Sequence, residues 1–413
     1  MLNLNLRRRP KNIPDMPIRY HSIVTWEKEH VRAAVLQLTD GVAELLGVAV
    51  VPLHGVGSTT HPDLDRWLAG CEKALTQAED MTVMANGRKV VPDYVTMSIP
   101  AVNTRDLAIT VTRRRRDAKE AVSLEEMSAL LERGYRKAQD LVKLHAQDSE
   151  NEIVAGCLVE AALDGHAVDN PIGLQGEHLE ARLNFCMAPY EWTRAFDLIA
   201  QKLELGLTNI LPEHMALASS LPDAATFLLL FDEYHSTISM VRRGQLEWTH
   251  LIEVGERNIV AAVAETLSLQ GQQADALMRA YRARQLREDV ELELARAFWA
   301  ELRKWMKALG DGVLANAQEA PLPHRIHFVD MTRRMPEAIL SLQTPFWEHC
   351  LPFPRCPEVK ALSVGGVRNV LDCTSQAADP TYLSLRNVAY FVAQLYAPGN
   401  DLARTLMETI RWS

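Results

Sequence analysis

The sequence predicts an α/β fold in which sheets are covered by helices. Strand-like and helix-like patterns alternate along the whole chain, which favours mixed layers over a sandwich or a bundle. One order, hairpin strands followed by a helix, starts near Ser22 and again near Phe227, as a duplicated βββαβα pattern would. The 413 residues set the scale: enough for about two or three domains and a sizeable core.

Residues 1–17 are polar, basic and proline-bearing and read as a flexible leader. Their arginines follow the leucines and no apolar run comes after, unlike a secretory signal. Val31–Leu38 and Val48–Leu53 read as strands joined near Asp40-Gly41. Helical spacing of Leu64, Leu68, Cys71, Ala74, Leu75 and Ala78 predicts a helix over 63–79, capped by Asp63 or Asp65. Tyr94–Ile99 is a strand stopped by Pro100. Leu107–Thr112 alternates like a strand and runs into Arg113-Arg114-Arg115-Arg116. Ser123-Leu-Glu-Glu-Met opens a helix that runs to about Leu144. Ile153–Val159 and Arg182–Met187 read as strands on either side of a turn-rich stretch, Asp169–Gly176. A helix over 191–205 is expected to close on Gly206. Phe227–Asp232, Thr237–Val241 and Trp248–Glu253 follow as strands, the first two before a turn at Arg243-Gly244. Residues 258–267 are helical, 272–309 form one or two long charged helices, and Ile326–Val329 is a short strand. Residues 345–380 are loop-rich, and Asn387–Tyr396 is a helix.

Composition removes several classes of function. Forty-four basic residues against 53 acidic ones give a net charge of −9, which does not suit a nucleic-acid surface. No run approaches the length of a membrane span. Six cysteines without a C-x-x-C pair are too sparse for a disulfide scaffold, so reduced thiols in a cytoplasm are the expectation. No G-x-S-x-G elbow and no P-loop is present.

Three stretches carry a resemblance. The first is Val48–Ile99, with Gly55-Val-Gly-Ser58, Leu75-Thr-Gln-Ala-Glu79 and Tyr94-Val-Thr-Met-Ser-Ile99. The second is Asn170-Pro-Ile-Gly-Leu-Gln-Gly176, followed by Leu179, Ala181 and Leu183. The third is Ile210–Leu269, with Leu217-Ala-Ser-Ser220, Asp232, Ile238, Gly244, Leu246 and Gly255-x-x-Asn258-Ile-Val260 in order. Over 22–398 the chain resembles the FtsA family of actin-like cell-division proteins and, more distantly, the PilM proteins of type IV pilus assembly. The resemblance implies an actin-like, two-lobed (ribonuclease-H-like) fold with an FtsA-type inserted subdomain. Subdomain IA would take 18–102, 186–222 and 377–398, the insertion IC 103–185, subdomain IIA 223–256 and 311–376, IIB 257–310, and a tail 399–413.

The family holds ATP with three glycine-rich turns, where glycine lets backbone N–H groups approach phosphate closely. The first turn is matched here by Thr25-Trp-Glu-Lys28. The second, Asp-x-Gly-Gly-Gly-Thr, is matched by Asp232-Glu-Tyr-His-Ser-Thr237, which keeps the Asp and the Thr and no glycine. The third, a Gly-Gly, is matched by Asp330-Met331. Trp26, Tyr234 and His235 are expected to fill the phosphate space, and Glu27 and Glu233 to oppose a polyanion. The resemblance therefore implies a pseudo-ATPase with no cofactor, and Asp232, Thr237 and Lys28 are vestigial phosphate-loop positions. ATP with Mg²⁺, bound by altered loops in a filament former, is the alternative.

Function then falls to contact surfaces. Arg113, Arg114, Arg115 and Arg116 form the densest charge run, either a solvated hairpin or a contact for acidic partners or anionic headgroups. The segment 401–413 places Leu402, Leu406 and Ile410 on one face and ends near Trp412, so it is either a packed helix or a peripheral membrane contact. His54 and His61, and His349-Cys350 with Cys356, lack the spacing of a metal site. In IIB the strand-and-loop region with which the family docks the tail of the tubulin-like FtsZ is shortened, and a helix with Leu286, Val290, Leu294, Phe298, Leu302, Trp305 and Leu309 at helical spacing takes its place. The resemblance implies a cytoplasmic scaffold at the inner face of a membrane, with protein partners in a division assembly. A pilus or secretion platform gripping a membrane partner's peptide between IA and IC is the other reading. Self-association stays open, and nucleic acid is not expected.

Overall fold

A computed structural model describes residues 19–27, 30–53, 63–145, 151–317, 322–353 and 355–412. The expected leader, Lys28, His54 and His61 with the glycine turn between them lie outside the described residues.

In chain order the strands are β1 (Tyr20–Glu27), β2 (His30–Thr39), β3 (Val42–Pro52), β4 (Tyr94–Ile99), β5 (Arg105–Arg114), β6 (Asn151–Leu163), β7 (His166–Val168), β8 (His178–Pro189), β9 (Gly206–Pro212), β10 (Ala225–Phe231), β11 (Ser236–Arg242), β12 (Gln245–Ile252), β13 (Arg325–Asp330), β14 (Glu358–Ala361) and β15 (Val370–Asp372). The helices are α1 (Leu64–Asn86), α2 (Leu124–His145), α3 (Tyr190–Lys202), α4 (Glu213–Ser219), α5 (Glu256–Thr266), α6 (Gly271–Arg282), α7 (Glu288–Asn316), α8 (Pro336–Leu342), α9 (Trp347–Cys350), α10 (Leu383–Leu395) and α11 (Asp401–Trp412). The chain divides into two compact units. Unit 1 takes the described residues up to Pro222, Arg243–Glu247 and those from Ser363 onward. Unit 2 takes Asp223–Arg242 and Trp248–Leu362.

Unit 1 holds two sheets. The larger runs β15-β3-β2-β1-β4-β9, with β1, β2 and β3 antiparallel and β4, β9 and β15 added in parallel. Asp63 caps α1 by accepting the Arg66 amide, as one of the two expected caps. Where α1 crosses β3, a Cβ on Gly47 would lie 1.9 Å from the Ala78 carbonyl oxygen, so only glycine permits the approach. Trp26 of β1, Trp67 of α1 and Trp192 and Phe196 of α3 meet in one buried aromatic cluster, with Trp26 stacked on Phe196 at 4.6 Å between centroids. Burying each such ring contributes on the order of 2–3 kcal/mol. The second sheet, β5-β8-β6-β7, is antiparallel throughout and is inserted in the chain between β4 and β9. Both α2 and α11 pack on it, and Leu406, Met407 and Ile410 of α11 are buried.

Two expectations change here. Residues 363–376 do not go with the second half of the chain: β15 pairs with β3, Val370 opposite Ala43, and brings them into unit 1. Gly206 does not cap α3. The helix ends at Lys202 with Glu204 in the left-handed region at φ 57°. The Leu205 amide reaches back to the Ala200 carbonyl at 2.9 Å and the Glu204 amide to that of Gln201 at 3.2 Å. That closure satisfies the last carbonyls three residues early and frees Gly206 to pair with Tyr94.

Unit 2 has the sheet β12-β11-β10-β13-β14, in which β10, β13 and β14 are parallel and β11 is antiparallel to β10. The stripe on α7 is core from Leu294 through Phe298, Leu302 and Trp305 to Leu309, while Leu286 and Val290 are half-buried. Trp305 sits edge-on to Phe231 at 5.2 Å and donates its indole N–H to the Ser236 hydroxyl at 2.9 Å. Residues 283–287 join α6 directly to α7.

Candidate functional site

The turn Asp232–Thr237, expected from the sequence to stand for a second phosphate loop, is built by β10 and β11. These pair out to Phe231 opposite Ser236, so 232–235 must make the whole reversal. The Asp232 amide donates to the His235 carbonyl at 2.9 Å, and the Glu233 amide to the Asp232 carboxylate at 2.7 Å. The turn's carbonyls accept from the first turn of α5. The Glu256 amide donates to the Asp232 oxygen at 3.0 Å, and the Arg257 amide to the Glu233 oxygen at 2.7 Å. Amides at a helix N-terminus are free to take an anion unless other acceptors meet them, and these two are met by the chain's own carbonyls. Gly255 allows the contact: a Cβ there would stand 2.3 Å from the Asp232 oxygen. Asp232 itself is exposed, and Thr237, one residue into β11, is buried with no partner on its hydroxyl.

Charge is balanced locally. Glu233, expected to oppose a polyanion, is paired with Arg257 at 2.9 Å, and Arg257 also meets Asp275 at 3.3 Å. The carboxylate of Glu256 is buried between Arg282 at 3.3 Å and Arg334 at 3.1 Å. A buried carboxylate between two guanidinium groups is satisfied only with both in place.

The third turn follows β13. Asp330 folds its carboxylate back over the chain it begins. Its Oδ1 accepts the amides of Thr332 and Arg333, both at 2.9 Å, and the Thr332 hydroxyl at 2.7 Å. Its Oδ2 accepts the Met335 amide at 2.9 Å. Successive amides converging on one point make an anion nest, and here the protein's own carboxylate occupies it.

The first turn, in unit 1, differs from expectation. Trp26 does not stand in a phosphate space; it is buried in the aromatic cluster with Phe196 and Trp67, because its position on β1 faces α1 and α3. β1 pairs with β2 to Glu27 opposite His30, and Lys28 is outside the described residues.

The arginine run is not one surface. Arg115 is buried and belongs to no exposed contact face: it donates to Glu126 at 3.0 Å and to the carbonyls of Glu120 and Gly176, both at 2.9 Å. Arg114 pairs with Glu177 at 2.7 Å, Arg113 lies 3.9 Å from Glu126, and Arg116 is exposed. In α11, which carries Trp412, the Tyr135 hydroxyl donates to the Ile410 carbonyl at 3.4 Å and Arg411 pairs with Asp197 at 2.9 Å. Cys350 and Cys356 address separate carbonyls, those of Arg303 and Pro357. Among the described residues the grouping of side chains that could hold a metal ion is elsewhere: Asp106, Cys186 and His214. Their spacing in the chain, 80 and 28 residues, leaves no local motif to read.

No protein-family model matches the chain, and no curated protein matches its sequence. Solved structures do match. A PilM–PilN type IV pilus biogenesis complex aligns over 92% of this chain and 99% of that one, at 10% identity and a TM-score of 0.57. The ethanolamine utilization protein EutJ from Carboxydothermus hydrogenoformans aligns over 91% of each chain at 11% identity and a TM-score of 0.44. The cytoplasmic domain of EpsL, an inner membrane component of the type II secretion system of Vibrio cholerae, aligns over 87% of this chain and 94% of that one at 12% identity and a TM-score of 0.34. The likeness to the pilus protein is one of fold, and the chain has the actin-like fold. No described helix is long and apolar enough to cross a membrane.

Proposed function

We propose that this chain is an actin-fold scaffold that acts by protein–protein contact and has lost ATP hydrolysis. The reading rests on one observation above all. The amides of Asp232, Glu233, Thr332, Arg333 and Met335, with those at the start of α5, all donate to the chain's own acceptors. A phosphate would have to displace several internal hydrogen bonds, each contributing about 1 kcal/mol and more to a carboxylate.

Among assemblies, a pilus or secretion platform of the PilM kind is favoured over a division scaffold of the FtsA kind. Two features support this choice: the match over nearly the whole length of the pilus protein, and the direct α6–α7 connection in place of the strand-and-loop region that docks the FtsZ tail. The partner would be a cytoplasmic peptide of a membrane protein, and the working place the inner face of the membrane. No cofactor is proposed.

Calorimetry of the full chain with ATP and GTP, with and without Mg²⁺, tests the first part. No saturable heat is expected. Micromolar binding that Asp232→Ala abolishes would establish the filament-former alternative instead. Immobilised tail peptides of pilus-assembly and division proteins, offered to the same protein, separate the two assemblies.

A further inference from the structure

Asp106 on β5 and Cys186 on β8 stand directly opposite each other in the antiparallel register, so their side chains share one face of the inserted sheet. His214, in the first turn of α4, closes the group. The Cys186 Sγ lies 3.2 Å from Asp106 Oδ1 and 4.0 Å from His214 Nε2, and that nitrogen lies 3.6 Å from the same carboxylate oxygen. The side chains of His214 and Asp106 are 0% and 7% exposed, and Cys186 is fully buried. All three belong to unit 1.

The triad has the residue types of a cysteine nucleophile with its base and orienter, but not the chemistry. No substrate reaches a fully buried sulfur, and burial holds the Cys186 thiol well above its ordinary range, where a nucleophile needs the reverse. The donor set instead suits a borderline divalent cation: thiolate, imidazole and carboxylate. Zinc bond lengths in tetrahedral geometry place such donors about 3.3–3.6 Å apart. The three observed separations bracket that range within a few tenths of an ångström.

The surroundings are short of partners. Asn184 precedes Cys186 by two residues on the same strand face, is 0% exposed, and has neither its amide oxygen nor its amide nitrogen hydrogen-bonded; the other ring nitrogen of His214 is likewise buried without a partner. Buried polar atoms ordinarily take a hydrogen-bond partner or a ligand, and these two residues hold such atoms in and beside the triad. Cys157, opposite Asn184 on β6, is a further buried thiol near enough to act on Cys186 electrostatically.

The geometry points to a divalent-cation site of the zinc class, with Asp106 Oδ1, Cys186 Sγ and His214 Nε2 as its three protein ligands and a water in the fourth tetrahedral position. It would tie the inserted sheet to the β9–α4 junction of the larger sheet. Binding expels the thiol proton to solvent, so affinity falls as pH falls.

Elemental analysis of the full-length protein, purified without chelator, is expected to find about one zinc-class ion per chain. After chelation, Co²⁺ titration is expected to give tetrahedral visible bands with a sulfur-to-cobalt charge-transfer band. Cys186→Ser removes the charge-transfer band, and His214→Gln weakens Co²⁺ binding by at least about tenfold. Cys350→Ser and Cys356→Ser leave both unchanged. Absence of metal together with absence of a cobalt spectrum overturns the proposal, as does a charge-transfer band that survives Cys186→Ser or disappears with Cys350→Ser. If Cys186→Ser fails to fold, X-ray absorption of the cobalt-loaded wild type decides: sulfur with nitrogen and oxygen neighbours supports the site, and a shell without sulfur refutes it.

Discussion

The guanidinium of Arg115 donates to the carbonyl of Gly176 across 61 residues, at 2.9 Å. One residue comes from the arginine run and the other from the Asn170–Gly176 segment, so two features that are separate in the sequence form a single joint. The joint has further members. The Val122 amide donates to the Leu174 carbonyl at 2.8 Å, and the Gly173 amide to that of Val122 at 2.9 Å. Asn170 accepts the Ile172 amide at 3.0 Å and shapes the turn that presents these carbonyls. The segment therefore holds the approach to α2 in place, and Arg115 fastens it.

Arg115→Ala is expected to destabilise the protein by about 3 kcal/mol or more, because it leaves Glu126 and two carbonyls without their buried donor. Arg114→Ala, an exposed pair with Glu177, is expected to cost under about 1 kcal/mol. Urea unfolding of both variants reads the difference, and equal costs would show that Arg115 is not a structural residue.

Gly255→Ala should move the turn at 232–235. The added methyl meets the Asp232 oxygen and the Glu233 and His235 backbone at 2.3–2.6 Å, and backbone on both sides leaves little room to yield. A loss of about 2 kcal/mol or more is expected, with faster amide exchange at Glu256 and Arg257. Unchanged exchange there would show that the turn is not braced by α5.

His21 makes stability fall with acid. It is fully buried, shares its Nε2 with the Thr96 hydroxyl at 2.9 Å, and burial lowers its pKa from 6.5 to about 3. The folded protein holds it neutral while the unfolded chain protonates it, so the stability it lends is complete above about pH 6.5 and is lost on the way down to about 3. Over that window its contribution approaches about 1.4 kcal/mol per pH unit. The urea midpoint measured from pH 7 to 4 should drop less steeply in His21→Gln than in the wild type; parallel curves would exclude His21 as the cause.

Removing 401–413 uncovers the pockets filled by Leu406, Met407 and Ile410 and breaks the Arg411–Asp197 pair. The expected result is a protein less stable by several kcal/mol. Vesicle sedimentation provides the contrast: binding to anionic vesicles that falls with truncation while stability holds would make the helix a membrane contact.

Much of the architecture could be read from period alone. The α7 stripe, the N-terminal cap of α1 and the paired strands at Phe227 and Thr237 all follow local rules, and local rules are written in neighbouring residues. What escaped reading is non-local. β15 looks like loop until β3 lies beside it, and Gly206 looks like a cap until β4 offers it a ladder. The site shows the same division. Missing glycines at 232–237 are visible in the sequence, but the pairing of Glu233 with Arg257 and the burial of Trp26 depend on helices that arrive later in the chain. Arg115 differs from its three neighbours only through partners at Glu126 and Gly176.

The strand β15 and the helix α10 have a consequence for synthesis. The edge of β3 is covered only when Val370–Asp372 reaches it, and Gln394 must return across 353 residues to donate to the Gly41 carbonyl. A ribosome that has made all of β1 to β9 has therefore still not made a finished first unit. The nascent chain waits with an open strand edge while the whole of the second unit emerges. Pairing over such separations is slow, and an open edge invites other chains. Arrival of Val370–Asp372 and of α10, rather than completion of the first half, is the event that closes this edge.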